Sequence, residues 1–456
     1  MADLESVNPA TEERVATYER HDDDEVSRRI SRAWDAFGVQ KATTFEGRAE
    51  KMNRMADLLE EQSAELGALM TREMGKPVTQ AKAEAEKCAW VCRYYADHAE
   101  DFMADEMAET DAKRSFVSYE PIGPVLAVMP WNFPFWQVYR FAAPALMAGN
   151  VGLLKHASNV TGCALKIEEL FAEAGFDRGE FQALLISSDK VGDVIADDRI
   201  RGTTLTGSEG AGRAVGRQSG EAIKPNVLEL GGSDPFIVLA DADLEKAVEV
   251  GITSRMQNNS QSCIAAKRFI VEEAVLDDFT ERFVAGIEAL KVGDPMDEDT
   301  DVGPMARGDL RDEVHDQVER AIDDGAELQT GGEKLSDRDG FFYAPTVLTN
   351  VKAGSVAFDE EIFGPVASIT PARDVDHAVE LANQSKFGLG GAVFTEDRAK
   401  GEDVARRLEV GCAFVNEMVK SDPRLPFGGV KASGYGRELG RFGLREFCNI
   451  KTIWVE

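Results

Sequence analysis

The sequence predicts an α/β protein of two domains, and three observations carry that expectation. From about Val151 short apolar runs alternate with helical segments. A second alternating series starts near Asp234. The length, 456 residues, exceeds what one hydrophobic core usually serves.

Taken in order, residues from about Ser27 to Ala104 read as helix, with charged faces and few breakers. Cys88 and Cys92 stand four apart there, a pair on one helical face whose default is packing. "SFVSYEPIGPVLAVMP" (Ser115–Pro130) alternates and then turns apolar, a strand or hairpin ending in proline. "VGLLKHAS" reads as strand, "NVTGCALKIEELFAEAG" as helix, "FQALLIS" as strand and "VGDVIADD" as a short helix. "IRGTTLTG" is again strand, and "SEGAGRAVGRQSG" is a turn entering a helix. The second series runs from "DPFIVLADADLEKAVEV" through "AAKRFIVEEAVLDDFTERFVAGIEAL" to "GGAVFTEDRAKGEDVARRL". This is the rhythm of parallel sheets covered by helices, with no internal repeat and with glycine confined to isolated loops.

Composition narrows the function classes. Lys and Arg number 51 against 82 Asp and Glu, a net charge of −31. Such a surface repels phosphate, and no basic stripe interrupts it, so nucleic acid is excluded as a partner. The acids are interleaved with apolar positions at helical spacing, as in "RGDLRDEVHDQVERAIDDGAEL", which describes a solvated acidic surface suited to a salt-rich (halophilic) cytoplasm. No run resembles a signal peptide or membrane span, so a soluble, cytoplasmic protein is expected. Six cysteines make no disulfide framework, and five scattered histidines form no HxxxH pair, so no metal site is expected.

Several loops carry chemical signals. In "NNSQSCIAAKRF", Cys263 is either a nucleophile or one of the small buried hydrophobes that cysteine usually is. "LTGSEGAG" (Leu205–Gly212) leaves a strand and opens a helix, so its amides can face an anion. Its spacing is not GxGxxG, and a packing turn explains it as well. Lys155 ends the "VGLLK" strand, where open α/β sheets bind ligands, although an edge lysine is otherwise merely solvated. Glu229 in "LELGGSDP" ends an apolar strand beside two glycines. It is either a carboxylate raised toward a general base or a strand end facing water. In "MPWNFPFWQVYR" two prolines bracket Trp131, Asn132 and Phe133, and the rigid amide of Asn132 suits the stabilisation of an oxyanion. "DEEIFGPVASI" and "PFGGVKASGYGRELG" hold Glu361 and Glu438 in Gly/Pro-punctuated loops.

In order, "PWNFP", "LLKHAS", "LTGS" with Gly212, "ELGG", "QSC", "EEIFGPV" and "PFGGVKASGYGRELG" resemble the motif series of the aldehyde dehydrogenase superfamily, over nearly the whole chain. The resemblance implies a Rossmann-like cofactor domain (1–102 and 122–231), an α/β catalytic domain (232–440) and a small β oligomerisation element (103–121 and 441–456). A homodimer or homotetramer is implied with it. It implies NAD(P)-dependent oxidation of an aldehyde through a cysteine thioester. Cys263 is then the nucleophile, Asn132 holds the oxyanion with the Cys263 N–H, and Glu229 activates water. The cofactor contacts fall on Trp131, Lys155, Ser158, Gly207, Ser208, Gly212, Glu361 and Phe363. A non-enzymatic relative is the competing reading, and the presence of Cys263, Glu229 and Asn132 speaks against it.

"KHAS", the C-terminal segment and the short N-terminus are most similar to bacterial and archaeal succinate-semialdehyde dehydrogenases. On that likeness the substrate is succinate semialdehyde, with glutarate or 2-oxoglutarate semialdehyde as runners-up, and Arg140 and Ser421 grip its distal carboxylate; the other reading of Arg140 is an intramolecular ion pair. Ser158 replaces the Glu common in NAD-preferring relatives, so NADP is expected to be accepted and modestly preferred with NAD still usable, although no arginine adjoins Ser158 in the sequence. Three positions depart from the family pattern. Ser260 replaces a glycine, and either accepts ordinary angles or carries strain. Phe141 replaces a lysine, which weakens any proton relay through Glu438, and Gln257 replaces a second arginine.

Overall fold

After an antiparallel strand pair, Leu4–Val7 with Arg14–Tyr18, four helices follow in the computed structural model, which describes residues 3–456. They span Asp23–Gln40, Phe45–Glu61, Ser63–Met74 and Val78–Phe102. Asp22 caps the first by accepting the Glu25 N–H at 2.7 Å, and Asp23, Asp24 and Glu25 complement its dipole. Gly75, at φ +81°, ends the third in the left-handed conformation that glycine adopts without penalty. Cys88 and Cys92 are fully buried on the fourth, against the second helix and the helix Trp136–Met147.

Two sheets organise the rest. The first has six strands in the order Gly434–Tyr435, Asn226–Glu229, Gly202–Thr206, Pro124–Met129, Val151–His156 and Phe181–Ala183. All pair in parallel except Gly434–Tyr435, which returns from late in the chain to the edge beside Asn226–Glu229. Pro124–Met129 comes first in sequence and lies between Val151–His156 and Gly202–Thr206, so the order reverses there. Such a switch point opens a crevice at the carboxyl ends of the strands. Val151–His156 is buried at every position, as a strand covered by helices on both faces must be.

The second sheet has seven strands, ordered Glu327–Thr330, Thr346–Thr349, Val366–Ala372, Ala266–Glu272, Asp234–Val238, Gly390–Phe394 and Cys412–Val415, of which only the first is antiparallel. A separate antiparallel sheet joins Cys448–Val455, Arg114–Pro121 and Glu106–Met107.

The observed elements follow the expected alternation, with two differences. "FQALLIS" supplies only the three-residue strand Phe181–Ala183. Ser115–Pro130 forms two strands in different sheets and no hairpin. The chain turns at Gly123 (φ +134°), where a Cβ would lie 2.7 Å from the Arg201 side chain. No helix among the described residues is long and apolar enough to cross a membrane.

Buried cations tie helices to the second sheet. Arg268, within its central strand, donates to the carbonyls of Ser233, Leu381 and Ala382, each at 2.9 Å. Arg268→Met keeps the apolar stem and orphans three carbonyls. At about 1–3 kcal/mol for a buried unpaired group, it should destabilise by roughly 3 kcal/mol or more. Chemical denaturation should show a lower midpoint at unchanged slope, and an unchanged midpoint would refute this account.

Candidate active site

The carboxyl edge of the first sheet carries most of the residues singled out above. Pro124–Met129 delivers Trp131 and Asn132, Val151–His156 delivers Lys155 and Ser158, Gly202–Thr206 delivers Gly207 and Ser208, and Asn226–Glu229 ends in Glu229. From the other side come two loops that precede strands of the second sheet: 257–265, holding Cys263, and 360–365, holding Glu361 and Phe363.

The loop before Cys263 has an unusual backbone. Asn258, Asn259 and Ser260 lie consecutively at φ +55°, +53° and +62°. Asparagine tolerates this region, whereas serine pays for it. Side-chain amides hold the run in place. Asn259 Nδ2 donates to the Gly75 and Pro304 carbonyls at 2.7 and 2.8 Å, and its Oδ1 accepts the Gly303 N–H at 2.7 Å. Asn258 Nδ2 donates to the Asn132 and Gln261 carbonyls at 2.9 and 3.0 Å. Of the two sequence-based alternatives for Ser260, the strained one holds.

Beyond the run, Lys267 fastens the cysteine. Its buried ammonium donates to the carbonyls of Ser262 and Cys263, both at 2.8 Å, and lies 3.4 Å from Glu361. Cys263 is only partly buried. Enclosure by protein pushes its thiol up to about 12, while Arg140 and Lys267 pull the other way.

Asn132 is buried, and its Nδ2 donates to the Gln261 carbonyl at 3.0 Å, two residues from Cys263. An amide nitrogen carries two hydrogens, so one remains to be offered. His156 stiffens this proline-bracketed loop. Its Nδ1 accepts the Ala157 N–H at 3.0 Å, which leaves Nε2 to donate to the Pro134 carbonyl at 2.9 Å. Burial lowers the imidazole to about 4, so the ring is neutral.

Glu229 is buried and neither carboxylate oxygen has a hydrogen-bond partner among the described residues. Burial raises its pKa well above the usual range, Glu438 adds to the rise, and Arg140 and Arg437 oppose it. Arg140 forms a buried ion pair with Glu438, donates to Thr206 Oγ1 at 3.3 Å and lies 4.6 Å over the Phe427 ring. Phe141, next in sequence, packs edge-on against Phe447 and makes no polar contact with Glu438.

The remaining positions group as follows. Trp131 and Phe363 meet edge to face at 5.9 Å. Glu361 accepts the Gly232 N–H at 3.0 Å, and a Cβ on Gly231 would lie 2.0 Å from its carboxylate. Ser208 caps the helix Glu209–Glu221. Gly212 lets that helix approach Leu230, whose side chain a Cβ would meet at 2.5 Å. Lys155 is buried, and Ser158 is exposed.

Cys263, Arg140 and Ser421 line one cavity of about 1070 Å³. Three further residues matter here that sequence reasoning did not single out. Lys267 had a signal, since a basic pair interrupts an apolar strand. Lys87, on the helix Val78–Phe102, donates to Ser421 Oγ at 2.9 Å and lines the same cavity. Arg20 lies close enough for its charge to help burial depress the Lys155 pKa, and its Nε is buried without a partner. An arginine thus stands near Lys155 after all, brought there by the fold from far upstream.

Ser260→Gly tests the strain. Relief of the left-handed penalty, about 1–2 kcal/mol, outweighs the extra chain entropy of glycine, so stability should rise by about 0.5–1 kcal/mol. A fall in the denaturation midpoint would mean that Ser260 Oγ, 3.3 Å from Met256 Sδ, contributes more than the backbone costs.

The profile of the aldehyde dehydrogenase family matches residues 2–453. The succinate-semialdehyde dehydrogenase [NADP(+)] 1 of Mycobacterium tuberculosis is 53% identical over 455 residues, covering 99% of each chain. A probable succinate-semialdehyde dehydrogenase [NADP(+)] of Synechocystis sp. is 51% identical over 452 residues, again 99% of each. Among solved structures, the succinic semialdehyde dehydrogenase of Streptococcus pyogenes in complex with NADP+ superposes with a TM-score of 0.97 at 38% identity, covering 99% of both chains. The chain belongs to the aldehyde dehydrogenase family.

Proposed function

We propose that this protein oxidises succinate semialdehyde to succinate, with NADP as the preferred cofactor and Cys263 as the nucleophile. The observation that carries the reading is the shared cavity. The thiol of Cys263 opens into a space whose walls hold cationic side chains and a serine hydroxyl, which suits a short aldehyde with an anionic far end. The names of the full-length relatives point the same way.

The thiolate of Cys263 attacks the aldehyde carbon, and Arg140 and Lys267 lessen the cost of forming it. The oxyanion that forms on the substrate is stabilised by the remaining Asn132 amide hydrogen and the Cys263 N–H. When bound, the nicotinamide cofactor supplies the hydride acceptor, and the product left on Cys263 is a thioester. Glu229 takes a proton from water, which adds to the thioester carbon and releases the acid and the thiol. A carboxylate that burial makes reluctant to ionise is a strong proton acceptor once ionised. Because Glu438 is paired with Arg140, its part is to set the charge beside Glu229, and no relay is assigned to it.

The cofactor site has matching features. The helix Glu209–Glu221 begins at Ser208, and its first amides suit a pyrophosphate. Lys155, the unpartnered Nε of Arg20 and the exposed Ser158 suit a 2′-phosphate, with no acid at Ser158 to repel it. Glu361 beside Lys267, with Trp131 and Phe363, suits the nicotinamide ribose and ring. We assign 1–102 and 122–231 to cofactor binding, 232–440 to the catalytic domain, and 103–121 with 441–456 to subunit association in a cytoplasmic homo-oligomer. Support for the last is the strand Cys448–Val455, which lies at a sheet edge with Ile450, Trp454 and Val455 exposed.

Steady-state kinetics on succinate semialdehyde and butanal, each with NADP and NAD, test the substrate and cofactor together. We expect kcat/KM to favour the semialdehyde and NADP, and Ser158→Glu to move the cofactor ratio toward NAD. Equal rates with both aldehydes would defeat the substrate reading, and an unmoved ratio would remove Ser158 as a determinant.

Glu229→Gln should slow thioester hydrolysis more than hydride transfer. Rapid mixing should then give a burst of reduced cofactor followed by a slow steady state. An unchanged steady state without a burst would take Glu229 out of the mechanism.

A further inference from the structure

Five cationic side chains line the cavity that holds Cys263: Lys76, Lys87, Arg140, Lys420 and Arg424. Four are already committed to carboxylates of the protein. Lys76 pairs with Glu84, Arg140 with Glu438, Lys420 with Glu417 at 3.0 Å and Arg424 with Asp422 at 2.5 Å. Lys87 is the exception among the described residues. Its one hydrogen bond goes to Ser421 Oγ, at 2.9 Å, and its ammonium lies 4.2 Å over the Trp136 ring.

The acids nearest to Lys87 are engaged elsewhere. Besides binding Lys76, Glu84 accepts the N–H groups of Phe135 and Trp136, both at 2.9 Å, and so anchors the start of the helix that carries Arg140. Asp422 accepts from the backbone and guanidinium of Arg424. An ammonium has three hydrogens, and only one of those on Lys87 is used. A half-buried cation facing a cavity without a counterion costs free energy that an incoming carboxylate would recover.

Resting on the succinate-semialdehyde reading above, we infer that Lys87, acting with the hydroxyl of Ser421, binds the distal carboxylate of the substrate. Arg140 then serves chiefly as the counterion of Glu438, close enough to repel Lys87 and keep the pair of cations receptive to an anion. Burial and that repulsion lower the Lys87 ammonium to about 8, against the opposing pull of Cys88, Glu84 and Asp422. The same ammonium would not grip an uncharged chain end, so the contact selects for charge.

The test is Lys87→Met, which keeps most of the unbranched side chain and removes the charge, with Lys87→Gln as a second neutral variant and Lys87→Arg as the charge-preserving one. Each is assayed on succinate semialdehyde and butanal at saturating NADP. A charge-assisted contact predicts a loss of roughly ten- to a hundredfold in kcat/KM for the semialdehyde, mostly through KM. Turnover of butanal and the KM for NADP should stay unchanged, which also reports an intact fold, and Lys87→Arg should recover part of the loss. Undiminished use of the semialdehyde by either neutral variant, or an equal fall on both aldehydes in both, would overturn the assignment. A wild type that prefers succinate semialdehyde alongside neutral variants that prefer it equally overturns Lys87 alone. A wild type without that preference overturns the substrate reading and this inference with it.

Discussion

The reactive centre depends on a backbone conformation that the chain would not choose unaided. Three consecutive residues, Asn258 to Ser260, are left-handed, and the penalty for L-residues is about 1–2 kcal/mol each before asparagine's tolerance is counted. What offsets it is a set of amide hydrogen bonds reaching Gly75, Pro304, Gly303, Asn132 and Gln261. Apart from Gln261 these partners lie on separate segments of the chain, so the loop's shape depends on tertiary contacts. The same bonds link Asn258, the backbone of Asn132 and the residue two before Cys263. The proposed nucleophile and oxyanion donor are therefore positioned by one network, and strain at Ser260 is carried where accuracy is needed.

A second constraint is electrostatic. Glu229 and Glu438 are both buried, which raises the pKa of each; Glu438 raises Glu229 further, and Arg140 opposes the rise at both. With Phe141 in place of a basic residue, Arg140 is the cation that pairs with Glu438, and its position over Phe427 fixes the guanidinium further. Pairing with Glu438 offsets the charge of Arg140, although N–H groups of its guanidinium stay free. The charge that the cavity presents to a ligand then comes from the side chain with no such commitment, on the helix Val78–Phe102.

How much of this was legible in the sequence depended on whether the cause was local. The prolines around Asn132 announced a rigid amide, and the structure adds the neutral His156 and the bonds to Asn258 and Gln261 that hold it. Glu229 at a strand end beside glycines left a perturbed carboxylate and a water-facing strand end both open; its burial in the structure goes with the first. Gly212 could be read as a packing turn or an anion turn, and its contact with Leu230 gives it a packing role whatever else it does. Ser260 was visible as a departure, but its φ depended on partners far along the chain. Arg20 and Lys87 were not legible at all. Each is an ordinary charged residue in a helical or polar stretch, and its importance comes from what the fold sets opposite it. Ser115–Pro130 failed for a similar reason: alternation identifies strands, but not which sheet each joins.

The strongly acidic character of the chain bears on the same site. A net charge of −31 opposes the approach of a semialdehyde carboxylate and a phosphorylated cofactor alike. In physiological salt that field is screened within about 8 Å, and in molar salt within about 3 Å. Beyond that range the surface charge matters little, so discrimination falls to cations within contact distance. Most such cations are neutralised by the protein's own acids, as the pairs of Arg140, Lys76, Lys420 and Arg424 illustrate. An acidic protein that must bind anions is therefore obliged to withhold a few lysines or arginines from its own carboxylates. Lys87 at the cavity of Cys263 meets that requirement because the acids nearest to it already hold other partners, and Arg20 near Lys155 keeps its buried Nε without a partner.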